Sequence, residues 1–497
     1  MEFHRTGVLL RAAPLNVRAT LNRSWFGYFV IVASLLPACA YAEVSDEAIT
    51  ALKHQMKELQ VQMQQIQEKI EAIEADKTDA APTGVVPPVP DAKPQGAPAA
   101  TADTPPPAPA ATAQPWTPSQ PITLMRSGGA YMNISFDGLM DVGWSTDSDV
   151  RALEPGDHDP AVRGFTIPNA EIALDGAVDP YFKGFSNIVF KLDQNGDTNV
   201  ELEEMYFLTS SLPWNLQLKG GQFFAEFGRQ NPQHPHAWAF VDQPLVLNRM
   251  FGPEGLRSQG ARLSWLAPTP WFTELTLGVF NSNGETAFSF DNPDSSDITG
   301  GIPVDRSVHG LQDLLYVPRI STSFDLTDTQ TLVLGASAAF GPNNSGNNAD
   351  SQVYGTDLYW KWKAPNAQEG FPFVSFQSEA LVRRYQADQR LSVDDPTLTL
   401  PEQKLDDWGI YSQVLWGIQP RWVAGLRGEF ASGAGAQADS ELREDRTRVS
   451  PNLTWYPSEF SKVRLQYNFD HRQGIGDDSS AWLQFEFLLG SHSAHKF

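Results

Sequence analysis

The chain has 497 residues, 41% of them hydrophobic, a net charge of −23 and a single cysteine, Cys39. So acidic a balance makes nucleic acid a poor partner, and one cysteine excludes intrachain disulfides, thiolate metal centres and thiol catalysis from the chain beyond its leader. After the leader no apolar run approaches the roughly 20 residues of a membrane helix, which leaves room for barrels whose apolar residues alternate with polar ones.

Residues 1–42 read as an export signal. Arg5, Arg11, Arg18 and Arg23 precede the apolar run WFGYFVIVASLL (25–36), and small residues ending in ACAYA predict cleavage after Ala42. The alternative is a lipoprotein signal that keeps and lipidates Cys39. Residues 43–77 carry a heptad, with Ile49, Met56, Met63 and Ile70 at one core position and Leu52, Leu59, Ile66 and Ile73 at the other. Four heptads at 3.5 residues per turn predict a coiled coil, and Ile at both positions leans towards three chains. Residues 78–121 are rich in Pro and Ala and predict an extended tether.

From residue 122 the period changes to two. Met132, Ile134, Phe136, Met140, Val142 and Trp144 share one face of a strand, and Asn133, Ser135, Asp137 and Asp141 share the other. The pattern returns to the C-terminus and predicts sixteen strands over 122–497. Connections after odd-numbered strands are mostly long (146–163, 224–258, 281–313, 341–351, 387–405, 431–446, 471–480), with DQNGDT near 194 as the short exception. Those after even-numbered strands are tight, such as 179–182 and 457–460. Long loops on one rim and turns on the other are what an up-and-down transmembrane barrel requires. The fold class expected is therefore an all-β, 16-stranded antiparallel outer-membrane barrel behind a periplasmic coiled coil. Sixteen strands predict an aqueous channel rather than a packed interior, and Trp144, Trp360, Trp362, Trp416, Trp422, Trp455 and Tyr467 fit interfacial girdles.

NAEIALDGAVDPYFKG (169–184), GQFFAEFGRQN (221–231), NLTWYPSEFSKVRLQYNFD (452–470) and FEFLLGSHSAHKF (485–497) resemble the phosphate-selective porin O and P family over most of residues 125–497. The resemblance implies a trimeric outer-membrane porin whose third long loop folds into the lumen, and a terminal aromatic, Phe497, read during barrel assembly.

Strand phase points Asp137, Asp141, Glu171, Asp175 and Asp193 inward early in the chain, and Arg383, Arg427, Arg448, Lys462 and Arg464 inward late. Two readings follow: facing walls of opposite sign with a transverse field between them, or charges paired with their neighbours. Glu204 falls on the lipid face by this phase, which predicts either a rim position or a register slip. The third long loop carries Glu226, Arg229, His234, His236, Trp238, Asp242, Arg249, Glu254 and Arg257, the expected constriction. His234 and His236 are candidate metal ligands, with oxygen from Glu226 or Asp242, but a structured Pro turn explains HPH more simply. DQNGDTNVE (193–201) is a partial calcium spacing that a hairpin turn explains more simply. No nucleophile elbow, HExxH pair or phosphate loop occurs, so neither an enzyme nor a cofactor is expected.

The functional expectation is passive diffusion of small polar or charged solutes through a homotrimer in outer-membrane lipid. The acidic total favours cations and the resemblance favours anions, and of the two the sequence leans to cations. A plugless receptor for metal or metal complexes and an envelope tether are the alternatives.

Overall fold

The computed structural model describes residues 121–490 apart from 193–196, 285, 291–307, 347–348, 393–394, 396 and 434–443. The expected signal with Cys39, the coiled coil, nearly all of the tether, Asp193, and His492, His495 and Phe497 of the tail lie outside the described residues.

Sixteen strands close into one ring. They are β1 (Ala130–Ser145), β2 (Gly164–Ala177), β3 (Phe182–Leu192), β4 (Thr198–Thr209), β5 (Leu216–Phe224), β6 (Arg257–Leu266), β7 (Phe272–Asn281) and β8 (Leu314–Thr327). The ring continues through β9 (Gln330–Pro342), β10 (Asp350–Gln368), β11 (Phe371–Ala387), β12 (Gln403–Gln419), β13 (Trp422–Ala431), β14 (Arg446–Ser458), β15 (Ser461–Arg472) and β16 (Gly476–Leu489). Each pairs antiparallel with its sequence neighbours, and β16 returns to β1 in the register Ser480↔Ser145 to Leu489↔Phe136. Closure gives each of the sixteen a partner strand on both sides, as an apolar surround demands. A short strand not foreseen from the sequence, Ile122–Ser127, pairs with Ala130–Ile134 on the same edge of β1, just beyond the end of β16.

Alternation decides which way each side chain points. On β1, Met132, Met140 and Trp144 are 38%, 42% and 55% exposed on the outside, while Ser135, Asp137 and Asp141 are 3%, 1% and 0% exposed within. The outer face carries Leu426, Val449, Leu453, Leu465, Phe469 and Leu483, all exposed. Trp416 and Trp455 are exposed near the short-turn rim, where Trp422 stacks on Trp455, and Trp144, Trp408 and Tyr467 are exposed towards the long-loop rim.

The lumen is not open at every level. The loop between β5 and β6 turns inward, carries helix α1 (Leu245–Phe251) and buries all seven residues of that helix. Phe227, Val246, Leu247, Met250 and Phe251 form a continuous apolar core with Leu315, Val317, Ala339, Val353, Leu381 and Tyr411 of the wall. At this level the expectation of an aqueous rather than a packed interior is corrected. Apolar side chains on β8–β12, which alternation aims inward, have apolar partners on the loop, and burial of each Leu or Val among them is worth about 1.5–3 kcal/mol.

Candidate functional site

Strand phase gathers the inward charges into two arcs that adjoin through β16. Asp137 and Asp141 on β1, Glu171 on β2 and Glu203 and Glu204 on β4 make the acidic arc; Arg383, Arg427, Arg446, Arg448, Lys462 and Arg464 on β11–β15 make the basic one. The walls of opposite sign therefore lie side by side rather than face to face, and the loop complements both. Asp175 is half-buried and accepts a hydrogen bond from the Asn133 amide at 3.0 Å.

On the basic arc, Asp242 of the loop is the hub. Its carboxylate receives Arg427 at 2.5 Å, Arg448 at 3.0 Å, Gln466 at 2.8 Å and Asn468 at 2.9 Å. Burial opposes its charge, but the two guanidinium groups outweigh burial and hold its pKa below the ordinary value. Lys462 donates to the carbonyl of His236 and Arg464 to that of Trp238, both at 2.8 Å. Arg383 is bidentate on Asp407 and also donates to the Arg249 carbonyl at 3.2 Å. Arg249 itself donates to the carbonyls of Ala431 and Ser432 and to Glu154. These inward cations are thus engaged by carboxylates, amides and loop carbonyls, the second of the two readings drawn from the sequence.

Two wall carboxylates grip loop backbone. Glu379 of β11 accepts from the N–H groups of Arg229 (3.0 Å) and Gln230 (2.8 Å). That approach needs Gly228, at φ +60°, where a Cβ would lie 2.1 Å from Glu379 Oε2. Glu429 of β13 accepts from Leu245 N–H at 2.7 Å, satisfying one of the open donors at the start of α1.

On the acidic arc the loop presents its imidazoles. A β-bulge in β4 shifts the register between Asn187↔Glu204 and Ile188↔Leu202. Glu203 and Glu204 therefore both point inward, between exposed Leu202 and Met205. This resolves the misplaced Glu204 as a register slip. His234 bridges the two, Nδ1 to Glu203 and Nε2 to Glu204, each at 2.9 Å. His236 Nδ1 lies 3.5 Å from Asp137 and 3.6 Å from Glu171. The oxygens beside the histidines come from Asp137, Glu171, Glu203 and Glu204, not from the expected Glu226 or Asp242. Glu226 is paired with Arg262 at 2.6 Å, and Asp242 with the arginines.

His158, in the loop after β1, completes this side, with Nε2 3.3 Å from Glu203 and Nδ1 3.3 Å from the Pro168 carbonyl. Burial works against its charged form, but the hydrogen bond to Glu203 and the charges of Glu203 and Asp157 prevail and push its pKa up to about 9. For His234 burial is likewise outweighed, by Glu203 and Glu171, and its pKa stands well above the ordinary imidazole value. A raised histidine pKa stabilises fully below the unfolded value near 6.5 and ceases to as pH rises through the folded value. Thermal unfolding followed by circular dichroism is expected to show a midpoint that falls between about pH 7 and pH 10, and His158→Gln to flatten that fall. A midpoint with the same pH slope in parent and variant would contradict this account.

Against known proteins, no family model matches the chain. It is 33% identical over 359 residues, 67% of this chain and 70% of the relative, to an uncharacterized protein of Aquifex aeolicus (strain VF5). The chain belongs to the family of that protein. Among solved structures, it is similar to the outer membrane channel DcaP of Acinetobacter baumannii, at TM-score 0.47 and 14% identity over 73% of this chain and 98% of that one. It is also similar to OprB of Pseudomonas putida, at TM-score 0.42 and 9% identity over 72% and 94%.

Site residues that the sequence reading missed are Glu203, Glu379, Glu429, Arg446, Asp470 and His158. The basic trio Arg229, Lys361 and Lys363 was missed as a group. Lys361 and Lys363 share the inward face of β10 with Asp357 and Tyr359, opposite Trp360 and Trp362. Arg229 stacks over Tyr359, its guanidinium carbon 3.9 Å from the ring centre, and Lys361 lies over Phe373 at 5.0 Å. All three are half-buried, and none is ion-paired with a carboxylate among the described residues. The alternation W-K-W-K in β10 was the available signal.

Proposed function

We propose that this chain is an outer-membrane porin: a homotrimeric channel through which small polar and charged solutes diffuse, with anions preferred. Carrying the reading is a closed ring that is apolar outside and, where the loop's apolar core does not cover the wall, charged inside, so that lipid suits the outer face and water or polar solute the charged part of the inner one. Membership of the phosphate-selective porin group belongs to the same proposal and rests on the sequence resemblance.

Anion preference is supported by which unpaired charges meet solvent. The chain as a whole is acidic, but many of its lumen carboxylates are spent on arginines, lysines and imidazoles of the same interior. Arg229, Lys361 and Lys363 are not, and they meet solvent inside the ring. A local excess of one sign sets selectivity in a pore more than net charge does. The test is a reversal potential across a planar bilayer in unequal salt. The expected result is a potential of the anion-selective sign, moving towards the cation side in a Lys361→Gln/Lys363→Gln variant. A cation-selective parent, or a variant indistinguishable from it, would refute the preference, and absence of conductance would refute the channel.

A further inference from the structure

We propose that Asp137, Glu171 and His236 form a binding site for one divalent transition-metal ion of the zinc class, which fastens the inserted loop to the acidic arc of the wall. Each of the three offers one ligand atom within 4.8 Å of the other two, and His236 Nδ1 faces Asp137 Oδ2 and Glu171 Oε2.

The distances separate this triad from its neighbours. His236 Nδ1 stands 3.5 Å and 3.6 Å from its two carboxylates, too long for good hydrogen bonds. Atoms bound tetrahedrally at about 2.0–2.1 Å from a zinc ion lie about 3.3–3.5 Å apart, so the spacing is that of a coordination edge. His234, two residues away and with its ring stacked on that of His236, stands 2.9 Å from Glu203 and Glu204, which is the spacing of charged hydrogen bonds. A third cluster, Asp157, Glu201 and Glu254, is already occupied by cations of the chain, since Lys191 pairs with all three and Arg257 with two.

A second observation is independent of the imidazole. Asp137 is 1% exposed, and neither of its carboxylate oxygens receives a hydrogen bond. The β1–β2 register sets it directly opposite Glu171, an arrangement of like charges that costs stability. Lys462, the nearby cation, is committed to Glu486 and to the carbonyl of His236. A dication between Asp137 and Glu171 would offset the repulsion and satisfy the orphaned oxygens. One imidazole with two carboxylates suits zinc, nickel or copper rather than calcium, which takes six to eight oxygens. The ion is read as a resident fastener of the loop, not as cargo, so the inference stands apart from the channel proposal.

The test uses the full chain, folded in detergent and stripped with chelator. Cobalt(II) is titrated as an optical probe and zinc by calorimetry. The expected result is saturable binding of one ion per chain, with visible cobalt bands of a four-coordinate site that zinc abolishes and excess magnesium does not. Asp137→Asn and His236→Gln are each expected to weaken binding by about tenfold or more, while His234→Gln changes it far less. Heat-modifiable gel mobility confirms that each variant retains its barrel, and Asp137→Asn, nearly isosteric, keeps the test sound should His236→Gln misfold. Absence of saturable binding, or variants that bind as tightly as the parent because the ion sits on exposed His471 and Asp477, would overturn the proposal. Bilayer conductance of the same material tests the channel reading separately.

Discussion

Replacing residues 225–256 with a short Gly/Ser connection is expected to raise single-channel conductance several-fold. Phe224 pairs directly with Arg257, so a hairpin loop of about four residues spans the gap and the ring need not distort. What leaves the lumen is the element that fills it: α1, Phe227 and Phe240, each buried, together with the Asp242 hub. A ring of sixteen strands is wide enough for an aqueous channel once nothing occupies it. The excision also exposes Leu315, Val317, Val353 and Leu381, which pack on the loop in the intact protein. The widened barrel is therefore expected to unfold at lower temperature while conducting more. Single-channel recording beside a thermal melt checks both at once. Unchanged conductance would mean that the loop does not set the resistance of the pore.

The ring was legible in the sequence because its physics is local. Each strand must alternate to face lipid on one side and polar groups on the other, so residues two apart reveal the face, and the rhythm of long and short connections reveals the closure. The phase failed at one place, ELEEM (201–205), where two adjacent acids interrupt the alternation. That doubled carboxylate was itself the signature of a bulge, and it brings Glu203 and Glu204 together onto His234. The interior was far less legible. Glu379 grips Arg229 and Gln230 from 150 and 149 residues away, and Asp242 meets Arg448 across 206. No spacing rule relates residues whose contact is made by a loop crossing a lumen. Nor does the run LVLNRMF announce a helix inside a barrel, since its seven residues have no side-chain cap and rely on Glu429 of the wall to receive the first N–H.

Because one carboxylate holds two arginines, Asp242→Ala is expected to release the loop more than any other single change on the basic arc. The carboxylate binds Arg427 and Arg448 and takes hydrogen bonds from Gln466 and Asn468, all of these groups buried. Removing one partner from a buried ion pair costs about 3–5 kcal/mol, chiefly because the cations left behind lack compensation. Arg427 retains Glu429, and Arg448 retains Asp470, which moderates the loss. If the cost falls on docking of the loop rather than on closure of the barrel, cleavage within 225–256 by an added protease should accelerate by about two orders of magnitude or more, since each 1.4 kcal/mol is tenfold in the opening equilibrium. Asp242→Asn, which preserves shape and one acceptor, is expected to fall between parent and alanine variant. Combining Asp242→Ala with Arg448→Met should restore part of the lost protection, because the second change removes a stranded charge. Limited proteolysis with the barrel's gel mobility as control measures all three. Equal cleavage rates across the set would show that the apolar core around α1, and not the Asp242 hub, holds the loop in place.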